Sequence, residues 1–183
     1  MTQAKDALLE AARTVFLRHG YKKTSVAEIA TEAGVAVGSV YKFYPSKQQL
    51  FFDVYFTENA AQKQQIVEEI QWDKPREAFL AFLTRNAAVV TTNNILSAWN
   101  EPSISTELHQ ECLKRCQHTN YGDYLHAQVS TWRADGHLQG EFTEEFLDNL
   151  LEATRQLDML NGITTETKVF IIEAIIEKLF PEQ

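Results

Sequence analysis

Residues 25–47 read SVAEIATEAGVAVGSVYKFYPSK and hold the most informative pattern in this chain of 183 residues. Ser25 and Glu28 have the spacing of a capping box, which predicts that a helix begins directly after the serine. Gly34 takes left-handed backbone angles easily and so ends that helix. A second helix is expected over 37–43, because the proline that follows prevents its extension. Two short helices joined at a glycine form a helix-turn-helix, whose second helix enters the DNA major groove.

The amino-terminal segment resembles the TetR family of bacterial repressors. The matching elements are Phe16, Gly20-Tyr21, Thr24-Ser25, Ile29-Ala30, Ala33-Gly34-Val35, Gly38-Ser39-Val40-Tyr41, Phe43-Tyr44 and Ser46-Lys47. The resemblance covers roughly the first 55 residues and departs from the family pattern twice. Ala36 stands where a serine usually caps the recognition helix, and Phe43 precedes Tyr44 where the family usually has Tyr or His and then Phe.

Composition and charge agree with a DNA-binding head attached to a helical body. The net charge is −8, yet residues 1–50 hold seven Lys/Arg against four Asp/Glu, which leaves ten against twenty-one for residues 51–183. Basic charge is therefore concentrated in the segment expected to face phosphate. Without a long apolar run or a signal peptide, we expect a cytoplasmic protein that does not contact membranes.

The remainder of the chain carries helical patterns and no strand-like alternation of apolar and polar residues. We predict an all-α fold of about nine helices. A three-helix helix-turn-helix head, residues 1–50, is joined to a helical effector-binding and dimerisation domain, residues 51–183. The fourth helix begins at the capping box of Ser46 and Gln49 and links the two domains.

The second helix of the helix-turn-helix offers several candidate DNA contacts. Lys42 can donate to guanine, and Val37 can touch a thymine methyl group. The resemblance implies that Tyr41 and Lys47 contact the DNA backbone. Tyr44 either replaces the phosphate contact that Phe43 cannot make or packs with its hydroxyl at the surface. The predicted DNA-binding residues are Ser25, Val37, Gly38, Ser39, Tyr41, Lys42, Tyr44 and Lys47.

Aromatic side chains are frequent in the body. The TetR resemblance implies that helices five to eight enclose a cavity for a small-molecule effector, whose identity the sequence does not give. Aromatic walls with a few polar groups suit a flat or lipophilic ligand, although each aromatic taken singly is more often a core residue. The candidate ligand-binding residues are Phe79, Phe82, Trp99, His109, Tyr121, Tyr124 and Trp132.

The last predicted helix, about 165–180, is apolar on nearly every side, and such a helix must be buried all round. The economical arrangement is a four-helix bundle made by the last two helices of each of two copies. The alternative is a central helix wrapped by its own chain. The resemblance also implies a homodimer, with Leu147, Leu150, Leu151, Ile172, Ile176 and Leu179 as the candidate interface residues.

Other site chemistry has little support in the sequence. His109, Cys112 and Cys116 share one face of a predicted helix, but they lack the spacing of structural zinc sites, and buried free cysteines are the better interpretation. Because no nucleophile elbow, phosphate loop or HExxH motif is present, we expect no enzyme activity, metal or cofactor.

These patterns predict a homodimeric transcription regulator, a repressor that leaves a palindromic operator on double-stranded DNA when an effector binds the body. The alternative is a helical protein-interaction module, which binds other proteins through its acidic body and has a vestigial DNA-binding head.

Overall fold

The computed structural model describes residues 2–115, 120–139, 142–159 and 163–180. All regular structure in these ranges is helical, which confirms the predicted all-α class. The helices are α1 (Thr2–Lys23), α2 (Val26–Glu32), α3 (Val37–Phe43), α4 (Lys47–Glu69), α5 (Pro75–Thr92), a 3-10 helix (Leu96–Asn100), α6 (Ser105–Arg115), α7 (Asn120–Ala134), α8 (Glu144–Met159) and α9 (Thr165–Leu179). Within the described ranges, no helix has the length and apolar character that spanning a bilayer requires.

Gly20 kinks the first helix near its C-terminal end. Its φ of 70° and ψ of 177° are not helical, so the last turn of α1 is separated from the main helix. Thr24 stabilises the kink, because its hydroxyl donates to the Gly20 carbonyl at 2.8 Å. The backbone of the following turn is thereby fixed before α2 begins.

The chain forms two compact units. Each unit combines two segments that are separated in the sequence. The first comprises residues 1–63 and 88–115, and the second comprises residues 64–87 and 116–183. The functional boundary at residue 50, proposed from the sequence, stays a prediction. The first unit includes α1 to α3, and its core includes Phe16, Ile29, Val40 and Phe51.

A buried carboxylate on α4 holds the first unit together. The Glu58 side chain is 2 % exposed, and one of its oxygens accepts from the Arg13 guanidinium at 2.6 Å. The other oxygen accepts from the Asn93 side-chain amide at 2.7 Å. Asn93 in turn accepts from the backbone N–H groups of Ile95 and Leu96, where the 3-10 helix starts. One charged group thus connects α1, α4 and the turn after α5.

The second unit buries one side of α9 with its own chain. Ile172, Ile176 and Leu179 are buried, and so is Leu147 of α8. The C-terminal end of α9 is tied to the segment after α7, because the Gln139 backbone N–H donates to the Leu179 carbonyl at 2.7 Å. These four side chains are therefore core residues of one chain, whereas Phe170 of the same helix is 70 % exposed. One chain does not wrap α9 completely, and the dimer interface stays a prediction.

Two details define the helices that follow α6. Helix α7 begins at Asn120 and continues through Tyr121 and Gly122. Thr143 caps α8, because its hydroxyl accepts from the Phe146 backbone N–H at 3.2 Å.

Candidate nucleic-acid interface

The turn between α2 and α3 is built by backbone hydrogen bonds that the sequence makes possible. Gly34 has a φ of 66°, which places it in the left-handed region. The Val35 N–H donates to the Ala30 carbonyl at 2.9 Å, and the Gly34 N–H donates to the Thr31 carbonyl at 3.1 Å. This pair of bonds is a Schellman motif, which ends α2 and sets the direction of α3.

Ser25 forms the predicted capping box with Glu28. The Ser25 hydroxyl accepts from the Glu28 N–H at 3.2 Å, and the Glu28 carboxylate accepts from the Ser25 N–H at 2.7 Å. The bond from the Ser25 N–H, together with a second bond that the Ser25 hydroxyl donates to the same carboxylate at 2.9 Å, lowers the pKa of the Glu28 carboxyl. Ser25 is exposed, so its structural role leaves it at the surface of the head.

The outward face of α3 presents most of the predicted contact residues. Val40 is buried in the core of the first unit, whereas Val37 and Tyr41 are 41 % and 51 % exposed. Gly38 and Lys42 are also exposed, and Ser39 is half-buried. Ala36 forms the helix cap without any side-chain hydrogen bond, as its substitution for serine predicts.

Gly38 has no structural reason to be glycine. Its φ lies outside the left-handed region, and a Cβ added there would have no heavy atom within 4 Å in the described part of the chain. Glycine inside a helix is destabilising by about 0.5–1 kcal/mol relative to alanine. The missing side chain therefore leaves open space on the outward face of α3.

Three lysines give this part of the head its free positive charge. The guanidinium groups of Arg13 and Arg18 are engaged by Glu58 and Glu32, at 2.6 Å and 2.8 Å. Lys22, Lys23 and Lys42 are exposed and form no ion pair within the described ranges. These side chains are available to phosphate groups outside the protein.

Lys47 serves the fold of the head. Its ammonium donates to the carbonyls of Tyr21 and Thr24 at 2.9 Å and 3.0 Å, and it lies 4.2 Å from the centre of the Tyr21 ring. Partial burial lowers its pKa. Two of its three donors are therefore committed to the segment between α1 and α2, which ties the start of α4 to the helix-turn-helix.

Tyr44 is buried at the end of α3, so its ring packs inward, but its hydroxyl does not reach the surface. The side chain is 4 % exposed. Its hydroxyl lies near the Asp53 carboxylate but reaches hydrogen-bond geometry with no described group. Burial, reinforced by the Asp53 charge, raises the pKa of Tyr44 to about 12. The hydroxyl is closed off by packing, so this fold does not present it to a phosphate.

The predicted ligand-binding residues fall into both compact units. Trp99 and His109 belong to the first unit, where their ring centres are 4.1 Å apart and the His109 Nε2 lies 3.0 Å from the Trp99 carbonyl oxygen. Trp99 also stacks on Tyr55 of α4, with ring centres 6.4 Å apart. Cys112, on the same helix as His109, is half-buried. Cys116 lies outside the described residues, and no described cluster of three or more His, Cys, Asp and Glu side chains has metal-binding geometry.

The second unit holds an aromatic cluster centred on Trp72. Its ring contacts Phe82, Tyr124 and Trp132, with centres 5.8, 4.9 and 6.0 Å away. The indole N–H of Trp72 donates to the Val67 carbonyl at 2.9 Å. Trp72 and Tyr124 are half-buried, whereas Phe82 and Trp132 are buried, as is Phe79. The side chain of Tyr121 lies outside the described part of the chain.

Sequence reasoning missed Trp72 and Arg115. Trp72 lies in the segment between α4 and α5, so no helical periodicity predicts its contacts. Arg115, at the end of α6, donates to Asp53 of α4 at 2.8 Å and to Glu111 at 2.7 Å. Only the second of these pairs has the i,i+4 spacing visible in a sequence.

Comparisons with known proteins agree with the helix-turn-helix described above. Residues 8–54 match the family of bacterial regulatory proteins of the tetR type. The chain is 34 % identical to the uncharacterized HTH-type transcriptional regulator YhgD of Bacillus subtilis over 71 residues, which are 39 % of this chain and 37 % of that protein. It is 24 % identical to the HTH-type transcriptional regulator QacR of Staphylococcus aureus over 168 residues, covering 89 % of this chain and 85 % of QacR.

The fold also agrees with a solved structure over almost its whole length. FadR from Bacillus subtilis, solved in complex with stearoyl-CoA, has a TM-score of 0.59 at 16 % identity and covers 94 % of this chain and 95 % of its own. The helix-turn-helix geometry and the match of residues 8–54 together assign the amino-terminal head to the TetR family of bacterial regulatory proteins, and the rest of the chain shares the fold of the solved structure.

Proposed function

We propose that this protein is a transcription regulator that binds double-stranded DNA as a homodimer, with α3 of each copy in the major groove. The single observation that carries the proposal is Gly38, which stands in open space on the outward face of α3. A glycine that the fold does not require, and that weakens its helix, is explained by close approach of another molecule. The lysines exposed nearby supply the charge expected of a DNA-binding surface.

The decisive experiment replaces Gly38 with alanine. Because the added Cβ meets nothing in the protein, Gly38→Ala should leave the melting temperature unchanged or raise it slightly. Affinity for a DNA duplex enriched from a random library should fall by at least tenfold, which corresponds to about 1.4 kcal/mol. Fluorescence anisotropy and thermal unfolding measure the two effects.

Gly34→Ala is the control, because it strains a left-handed residue and so shows how a loss of stability alone affects binding. That variant should lose stability. If Gly38→Ala binds the duplex as tightly as the parent protein, α3 does not lie against DNA. If no duplex is enriched at all, the protein-interaction module with a vestigial head is the better function.

The regulatory part of the proposal is a repressor that releases a palindromic operator when a small molecule binds. FadR, solved with stearoyl-CoA, supports effector binding in a related fold. Trp72 and Tyr124 support it in this chain, because both are half-buried aromatic side chains in one cluster. We propose that this cluster in the second unit contacts the effector, and that α4 transmits the change because it starts at the head and its last residues belong to the second unit.

Native mass spectrometry of the purified protein tests the effector proposal. A bound small molecule should appear as a discrete added mass, and adding the extracted compound should weaken operator binding. Trp72→Ala should reduce that response without changing operator affinity in the absence of the compound. A compound that binds and leaves operator affinity unchanged would contradict the repressor mechanism.

A further inference from the structure

The DNA-facing helix carries only one of the side chains that read bases most specifically, Lys42. Residues 37–43 read VGSVYKF, with no Arg, Asn, Gln, Asp or Glu among them. Arg or Lys recognises guanine and Asn or Gln recognises adenine through paired hydrogen bonds, and each such pair contributes strong discrimination between bases. Lys42 is the only side chain of these types on α3, so paired hydrogen bonds from this helix specify one base pair at most.

Exposed apolar side chains occupy the same surface instead. Six large hydrophobic residues are prominently exposed in the described part of the chain, and three of them are Val35, Val37 and Tyr41. Val35, in the turn before α3, is 43 % exposed, close to the value for Val37. Half of the exposed large apolar side chains thus fall within seven consecutive residues. Such a cluster on a monomer indicates a contact surface.

The major groove offers one apolar feature that distinguishes bases, the C5-methyl group of thymine. Recognition helices contact base edges with residues near their N-terminal ends, and Val37 is the first residue of α3. Removing one methyl group from water is worth about 0.8 kcal/mol, which corresponds to about a fourfold change in affinity. Several such contacts together give a useful preference for one sequence.

We propose that Val37, with Val35 preceding it in the turn, reads the 5-methyl groups of pyrimidines, so that T·A base pairs lie under the start of α3 in each half-site. This inference rests on the proposed function and specifies how the same surface selects its DNA. It carries a consequence for modified DNA. Because 5-methylcytosine presents a methyl group at the same place, it replaces thymine at these positions better than cytosine does.

The test begins with a duplex that the protein itself enriches from a random library. Each thymine is replaced in turn by deoxyuridine, which removes the methyl group and keeps every hydrogen-bonding group. Binding of the parent protein should weaken by about three- to fivefold at one or two positions in each half-site. At those positions, a duplex with 5-methylcytosine should bind more tightly than one with cytosine by a similar factor.

Val37→Ala assigns the effect to its side chain. The variant should bind the thymine duplex more weakly, and it should lose the difference between thymine and deoxyuridine at one of those positions. Tyr41→Phe is the matched control, because it changes an exposed residue one helical turn away and should keep that difference. Val35→Ala should remove a second thymine preference in the same half-site.

The outcomes separate this inference from the proposed function. If no duplex is enriched, the DNA-binding function fails. If a duplex is enriched but deoxyuridine weakens binding at no position, methyl readout is wrong while DNA binding stands. Equal deoxyuridine effects in the parent protein, Val37→Ala and Val35→Ala would likewise remove both valines from base reading.

Discussion

The Tyr44 hydroxyl occupies an apolar environment beside a carboxylate, and this position determines its ionisation. A buried hydroxyl without a hydrogen-bond partner costs about 1–3 kcal/mol of stability. Its pKa, raised to about 12, means that the folded protein keeps this proton more tightly than the unfolded chain, where tyrosine ionises near 10. The stability gained by packing the Tyr44 ring therefore exceeds the cost of burying its hydroxyl.

At the residue scale we predict that Tyr44→Phe leaves DNA affinity within threefold and raises the free energy of unfolding at neutral pH by about 1 kcal/mol. As pH rises from 10 to 12, the unfolded chain loses the Tyr44 proton while the fold retains it, so the parent protein loses stability over this range. The variant should lose less. Chemical denaturation at several pH values measures both effects.

Tyr41→Phe, at an exposed tyrosine, is the control and should leave the pH dependence unchanged. A loss of stability in Tyr44→Phe at neutral pH would show that the hydroxyl donates to Asp53 in solution. A tenfold loss of DNA affinity without a loss of stability would restore Tyr44 as a phosphate contact.

At the scale of elements, α4 is anchored by two carboxylates. Asp53 pairs with Arg115 of α6 at 2.8 Å and with Lys5 of α1 at 3.8 Å. Glu58 pairs with Arg13 of α1, and its charge and hydrogen bond raise the pKa of the guanidinium. Asp53 is partly exposed, so water screens its attraction to Arg115 and Lys5. Glu58 is buried, so its charge is stabilised by its protein partners and not by water. The Glu58 network therefore governs the position of α1 on α4.

We predict that Arg13→Met lowers the free energy of unfolding by about 2 kcal/mol, because it leaves the buried Glu58 charge without its cation. Partial exposure of Arg13 keeps this loss below that of a fully buried pair. The double variant Arg13→Met/Glu58→Met should recover at least half of the loss, since no unpaired charge remains. Urea denaturation of the single and double variants measures the coupling.

Arg18→Met is the matched control, because its partner Glu32 is more accessible to water. It should cost less than about 1 kcal/mol. If the double variant is less stable than Arg13→Met, the Glu58 carboxylate contributes more through Asn93 than through the ion pair.

At the scale of the whole molecule, the apolar residues left uncovered by one chain bear on the proposed homodimer. Phe170 on α9 is 70 % exposed, and Phe146 on α8 is exposed as well. Leu150 and Leu151 are half-buried, so α8 also has apolar surface that its own chain does not fully cover. Leu147, Ile172, Ile176 and Leu179 are already buried in the second unit, so a partner copy would cover little further surface of these four side chains.

We predict that Phe170→Asp yields a folded monomer, because it places a charge on a surface that the partner copy covers. Ile172→Asp should instead unfold the second unit, because its side chain is buried within one chain. Sedimentation velocity and circular dichroism distinguish these results. A Phe170→Asp variant that remains a stable dimer would place the interface elsewhere, and Phe170→Leu serves as the variant that keeps an apolar contact.

The sequence by itself determined the helix-turn-helix, because its signals act over a few residues. The Ser25–Glu28 capping box, the left-handed Gly34 and the stop before Pro45 each depend on neighbours within about one helical turn, and α2 and α3 have the bounds that these signals predict. The kink at Gly20 follows for the same reason. Local backbone geometry is therefore readable without knowledge of the rest of the chain.

Only the tertiary structure decided what the longer-range side chains do. Lys47 donates to carbonyls more than twenty residues away, and Tyr44 is closed off beside Asp53. Ile172 is buried within its own chain, and Trp99 and Trp72 belong to different units. No periodic pattern in the sequence predicts either arrangement. Burial and electrostatic partners depend on which elements pack together, and that depends on the sum of many weak contacts.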